Sequence, residues 1–171
     1  MIPNARQARR TVTSSWEPVE PLIAGVQLKE VKNVVTDNGI TTEIFRDDWA
    51  LGERPLKHII FVSIRPGRIS AWHCHRIKTD HIFVVRGVLK MALYDARETS
   101  PTFGRVNSLN LSPMRPTLVV VPPLVFHGVQ NIATEDAAFV SCFDDTYAYD
   151  NPDDWLLPFD TPDIPFKFEG A

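Results

Sequence analysis

The sequence predicts an all-β domain, a barrel or a sandwich, and three observations predict it. Its apolar runs are short and rich in β-branched residues, among them residues 59–64 (IIFVSI), 82–85 (IFVV) and 118–121 (LVVV). Turn-forming residues separate these runs, and 14 prolines in 171 residues interrupt any long helical period. No helix-length pattern stands between the runs, so an alternating α/β sheet is excluded.

Each element follows in chain order. Residues 1 to about 20 read as an irregular arm. Residues 26–35 (VQLKEVKNVV) partly alternate and read as a strand. Residues 59–64 form a second, followed by the turn signal Arg65-Pro66-Gly67. Residues 82–85 and 88–94 flank Gly87. Residues 118–121 run into the turn Val121-Pro122-Pro123, and residues 125–132 and 137–143 close the series. The tail, 148–171, is rich in Pro and Asp but carries Trp155, Leu156, Leu157, Phe159, Ile164 and Phe166. That is too apolar for a free linker, so it is expected to pack on the barrel or on a partner subunit. The length implies one domain over residues 1–171. Trp16, Trp49 and Trp155 read as packing anchors.

Composition narrows the function. A net charge of −3 argues against nucleic-acid binding, which rests on neutralising phosphates. No apolar run approaches membrane-spanning length, and the N-terminal stretch MIPNARQARRTVTSS has no apolar leader core. A cytoplasmic protein with reduced thiols at Cys74 and Cys142 is expected, with no nucleic-acid or membrane partner.

The chemistry concentrates in residues 67–87, GRISAWHCHRIKTDHIFVVRG. His73 and His75 are two apart, so on a strand both imidazoles face the same side. Asp80 follows a short polar turn, and residues 122–131, PPLVFHGVQN, bring His127 from a later strand. Trp72 and Cys74 alternate to the other face, Cys74 as an inert core thiol. His58 and His81 read as hydrogen-bonded structural groups, and Arg76 and Lys78 as solvated turn residues.

These residues resemble the two motifs of the cupin superfamily. Gly67, His73, His75, Asp80 and Gly87 fall at the positions of the first motif, with Asp for the usual Glu. Pro122, His127 and Asn131 match the second, with Leu124 where Gly is usual. The resemblance implies a cupin, or jelly-roll, β-barrel with a few short helical or irregular segments at its ends, and three imidazoles in one pocket. It also opens an alternative. His73, His75, Asp80 and His127 would suit a divalent transition metal ion, as in a metal-dependent oxygenase or lyase.

A narrower resemblance covers residues 25–168. The stretches GITTEIFRDDW (39–49), AWHCHRIKTDHIFVVRG (71–87), YDARETSPTFG (94–104) and VPPLVFHGVQN (121–131) resemble the dTDP-4-dehydrorhamnose 3,5-epimerases. The resemblance implies a cofactor-free epimerase acting on a nucleoside-diphosphate 4-keto-6-deoxy sugar. It places the catalytic base at His73 and the acid at Tyr147, with Tyr149 as second choice. Asp160 would orient the base and His127 would line the pocket. Glu43, Arg46, His75, Arg97 and Tyr149 would contact substrate, although Arg97 can equally tie a turn. It further implies a homodimer in which N-terminal strands reach the partner and bring Glu43 and Arg46 near the partner's pocket. Three departures stand out: Ser70 and Asn38 replace family arginines, and the tail reads FDTP, which sets Asp160 one position early.

Overall fold

Strand pairing begins where the predicted runs begin. The structure is a computed structural model and describes residues 2, 4–8, 10–15 and 19–169; Trp16 lies outside the described residues. Twelve strands occur among them: β1 (Gln27–Glu30), β2 (Asn33–Thr36), β3 (Gly39–Thr42), β4 (His58–Ile64), β5 (Ile69–Cys74), β6 (Asp80–Arg86), β7 (Leu89–Asp95), β8 (Val106–Leu111), β9 (Thr117–Val121), β10 (Val125–Asn131), β11 (Ala137–Phe143) and β12 (Trp155–Leu156). The one helical element among the described residues is a 3-10 turn, Asp47–Trp49.

Two five-stranded antiparallel sheets face each other in the orders β1-β9-β6-β11-β4 and β12-β5-β10-β7-β8. This is the all-β cupin, or jelly-roll, architecture. Between the sheets lies the main core, with Ile82, Val84, Leu89, Met91, Leu93, Val119, Val121, Val129 and Phe139 all buried. A second cluster covers the outer face of the second sheet. There Trp72 and Ala92 pack against Ile164 and Phe168 of the tail, with Phe166 and Leu157 beside them. Trp72 therefore points away from His73, as strand alternation requires.

Three local features depart from a regular reading. Residues 26–35 are not one strand. The chain leaves β1 when the Val31 amide bonds to the Pro116 carbonyl (2.9 Å), and β2 then pairs only with β3 as a separate hairpin. Leu124, at the position where the motif usually has Gly, adopts φ +64°, the left-handed conformation that glycine favours; its amide bonds to the His75 carbonyl at 2.7 Å. Gly128 has no room for a side chain, since an added Cβ would lie 2.3 Å from the Ala71 Cβ. This close approach sits at the irregularity in the β5–β10 pairing, between His127 and Val129.

The Tyr94–Arg105 connection is tied by Asp95. Its carboxylate accepts from the Arg97 side chain (2.7 Å), Ser100 Oγ (2.6 Å) and Thr102 Oγ1 (2.6 Å), and Arg97 also reaches the Ala24 carbonyl (2.6 Å). Arg97 is thus occupied in holding a turn against the chain before β1.

Candidate active site

Strand alternation and cross-strand register build the site. His73 and His75 leave the same face of β5, and in the antiparallel pairing of β10 with β5 His127 stands directly opposite His73. The His73 and His127 rings stack with centroids 6.1 Å apart, and His75 and His127 lie 5.6 Å apart. The three imidazoles open into one cavity of about 400 Å³ between the sheets. Its inner end is apolar, lined by the buried side chains of Ile82, Val129 and Phe139, with Ile60 and Val62 alongside.

Asp80 begins β6 on the opposite sheet and joins two of the rings. One carboxylate oxygen lies 2.8 Å from His127 Nε2 and 3.3 Å from His75 Nε2. Burial pushes the Asp80 carboxyl up, but the two imidazoles outweigh that and hold it well below the usual carboxylate range. Burial likewise pushes His75 down, and Asp80 more than offsets it, so the His75 imidazole sits above its ordinary value. His75 Nδ1 faces the Asp153 carbonyl, so both ring nitrogens have acceptors, which favours the protonated ring.

His73 is the opposite case. Burial, then the charge of His127, lower its pKa, with Asp154 partly offsetting them. The neutral imidazole is therefore favoured. Its Nε2 lies 3.0 Å from Ser70 Oγ, so the serine at a position where an arginine is expected touches the His73 ring itself.

The remaining polar groups come from the chain after β11. This strap, residues 144–157, contributes Tyr147, Tyr149 and Asp154 to the cavity lining. Asp154 Oδ1 lies 3.4 Å from His75 Nδ1. The two tyrosine rings meet edge to face at 5.1 Å. Lys78 is not a solvated turn residue. It is 4% exposed and lines the cavity, its ammonium 5.0 Å above the Phe143 ring and 5.5 Å from the Tyr147 ring. His58, read as structural, also lines the cavity, at its rim.

Other predicted site residues lie elsewhere. Asp160 is exposed and lines a separate surface pocket of residues 160–167, because after Leu157 the chain turns onto the outer face of the second sheet. The tail carboxylate that reaches the histidines beside Asp80 is instead Asp154, six positions earlier. Its signal in the sequence was an Asp-Asp pair preceding a bulky apolar pair. Arg97 is committed to Asp95. Glu43 and Arg46 are exposed; Arg46 bonds Asp48 (2.6 Å) and Glu43 (3.3 Å) and does not reach this chain's cavity. His81 is fully buried on the outer face of its sheet, edge-on to Phe45. Cys74 is a buried thiol, pushed up to about 11 by burial.

The four-residue metal set narrows to three. Donor atoms of His75, Asp80 and His127 all lie within 4.8 Å of one another, and His73 is outside that group. Asp80 Oδ1 is buried without a hydrogen-bond partner. Two nitrogens and one oxygen suit a divalent first-row ion, which would supply Lewis acidity there.

Comparisons with known proteins decide between the two readings. The family model described as dTDP-4-dehydrorhamnose 3,5-epimerase matches residues 21–169. The chain belongs to the dTDP-4-dehydrorhamnose 3,5-epimerase family. Within it, the chain is 30% identical over 150 residues to the spore coat polysaccharide biosynthesis protein SpsL of Bacillus subtilis, covering 86% of this chain and 97% of that one. It is 27% identical over 141 residues to the "Probable low-salt glycan biosynthesis epimerase Agl13" of Haloferax volcanii, covering 82% and 90%. The solved structure of a dTDP sugar isomerase from Desulfovibrio desulfuricans G20 superimposes with a TM-score of 0.81 at 30% identity, covering 87% of this chain and 94% of that one. This dTDP-sugar epimerase family reading is supported over a metal-dependent oxygenase or lyase. No helix among the described residues is long and apolar enough to cross a membrane.

Proposed function

We propose that the chain epimerises a dTDP-linked 4-keto-6-deoxy sugar by proton exchange beside the C4 ketone, with side chains alone and no cofactor. One observation carries this reading: a half-buried histidine, His73, is held toward its neutral form in a cavity that also contains two further histidines, a lysine and two tyrosines. The C4 carbonyl acidifies the protons at C3 and C5. Neutral His73 takes one of them, and the electron pair moves onto the C4 oxygen as an enolate. Lys78, which lines the cavity, supplies a positive group for that oxygen beside the His75–Asp80–His127 cluster. Tyr147 returns a proton to the opposite face, with Tyr149 as the second candidate. Asp154 balances the charge around His73 and His75, in the role the sequence reading gave to Asp160.

Cavity size and lining support the substrate class. A volume of about 400 Å³ suits a single hexose ring, leaving the nucleotide toward the mouth. The apolar inner end formed by Ile82, Val129 and Phe139 suits a C6 methyl group better than a hydroxymethyl. The test is incorporation of solvent deuterium at C3 or C5 of a dTDP-4-keto-6-deoxyhexose. His73→Ala should abolish it; exchange at the parent rate in that variant would refute the assignment.

We further infer a homodimer located in the cytoplasm. The hairpin β2–β3 exposes Val34, Val35 and Ile40 with no barrel strand beside it, and edge strand β4 exposes Ile59 and Phe61. A hairpin laid on a partner's β4 edge would cover both. It would also carry Glu43 and Arg46 toward the partner's cavity, where the exposed pair could meet the nucleotide. Light scattering should give twice the chain mass, and Phe61→Asp should halve it.

A further inference from the structure

We propose that Asp153, which does not line the cavity, is the positioning residue of this site. It sets three cavity groups at once: His75, Lys78 and Asp154. The kinetic part rests on the epimerase reading above. The Asp153 carboxylate accepts the amide hydrogens of three consecutive residues: Arg76 (2.9 Å), Ile77 (2.8 Å) and Lys78 (3.2 Å). Successive amides converging on one anion form a nest, and this one is filled by the protein's own strap. Burial alone would raise the Asp153 carboxyl, but the three amides hold it below the usual carboxylate range.

The connections run to both ends of the site. Through its carboxylate, Asp153 fixes the turn that follows His75 and delivers the Lys78 ammonium above Phe143. Through its carbonyl it accepts from His75 Nδ1, and its neighbour Asp154 places Oδ1 3.4 Å from that same nitrogen. Immediately after, Trp155 and Leu156 pair with Cys74 and His73. Burial does not demand the clip at its first two amides. Arg76 and Ile77 are exposed, so water could satisfy their amides. What water could not do is fix the turn relative to the strap. The other end of the strap anchors only the far side of that turn: buried Asp144 accepts the Thr79 amide (2.9 Å) and pairs with Arg54 (3.0 Å), whereas the amides of residues 76–78 and the His75 ring are held by Asp153.

The experiment uses the full chain with Asp153→Asn and Asp153→Glu. Asn keeps the shape but loses the charge and one acceptor; Glu keeps the charge one methylene further out. Amide hydrogen exchange at residues 76–78, read without substrate, should quicken about tenfold or more in the Asn variant and less in the Glu variant. With a dTDP-4-keto-6-deoxyhexose, kcat should fall about 10- to 100-fold with KM within about twofold, and Glu should recover part of it. A purely structural role would lower the melting temperature and leave kcat intact well below it. Unchanged exchange at 76–78, kcat within twofold of the parent, or a loss confined to KM overturns the proposal. If the Asn variant does not fold, the Glu variant carries both readouts. If the parent chain itself shows no turnover, the epimerase reading fails instead. The proposal is then decided by amide exchange and by the reactivity of Lys78 toward an amine-acylating reagent, which should rise in the variants.

Discussion

The cavity has two kinds of wall. One is barrel: His73, His75 and His127 stand on β5 and β10, with Asp80 on the facing sheet, fixed by a ladder of backbone bonds and a packed core behind it. The other is strap: Tyr147, Tyr149 and Asp154 lie on a segment whose one strand, β12, is two residues long. Tyr149 is 87% exposed, whereas His127 is 6% exposed. The barrel wall holds the three imidazoles in preset positions, and the strap brings two phenols and a carboxylate to them. In the proposed mechanism the base stands on the rigid frame and the acid on the strap, an arrangement in which the acid side can vary while the base is kept.

The contrast makes graded predictions. His73→Ala on the barrel wall should lower kcat about 10²- to 10⁴-fold, measured by deuterium incorporation, because it removes the cavity imidazole that burial pushes toward its neutral form. Asp80→Asn should cost about 3 kcal/mol of stability in chemical denaturation, since it removes the buried carboxylate that bonds both His75 and His127. The parent's pH dependence follows from the Asp80–His75 pair. Asp80 has a depressed folded pKa, so its contribution is present above about pH 4, the unfolded value, and is lost as pH falls through the folded one. His75 has a raised folded pKa, so its contribution is complete below about pH 6.5 and is lost as pH rises through the folded value. The pair should therefore stabilise most between about pH 4 and 6.5.

On the strap, Tyr147→Phe should slow epimerised product about 10²-fold while solvent exchange at the substrate carbon persists, since abstraction belongs to the other wall. Equal loss of both would assign Tyr147 a positioning role instead. Asp154→Asn should move the acid limb of the kcat/KM profile to lower pH. Burial already lowers His73, Asp154 opposes that, and removing the opposing charge lowers it further. Movement to higher pH would contradict this placement. Asp160→Asn should leave kcat/KM within twofold, because Asp160 lies on the far side of the second sheet.

The same division explains what the sequence made legible. Period-two alternation put His73 and His75 on one face, and the second motif brought His127 opposite, because strands translate spacing directly into direction. The strap has no such period. The nearby Pro162 points to Asp160, while Asp154 is brought to His75 by the β12 pairing and the Asp153 clip, which are long-range. Lys78 read as solvated because it follows two exposed turn residues; only the fold of Phe143 and Tyr147 over that turn buries it. Strands β1 and β2 read as one run because the apolar stretch 26–35 continues past Val31, where the chain leaves the β9 ladder.

The absence of a side chain at residue 128 has its own consequence. The glycine following His127 looks like part of the reactive signature, yet what it answers to is the 2.3 Å approach of Ala71. A methyl group there would wedge the two histidine-bearing strands apart, and His73 and His127 would lose their facing geometry without either being altered. The position works as a spacer gauge: it sets the gap across which the rings meet, so Gly128→Ala would read in an assay like damage to the histidines themselves.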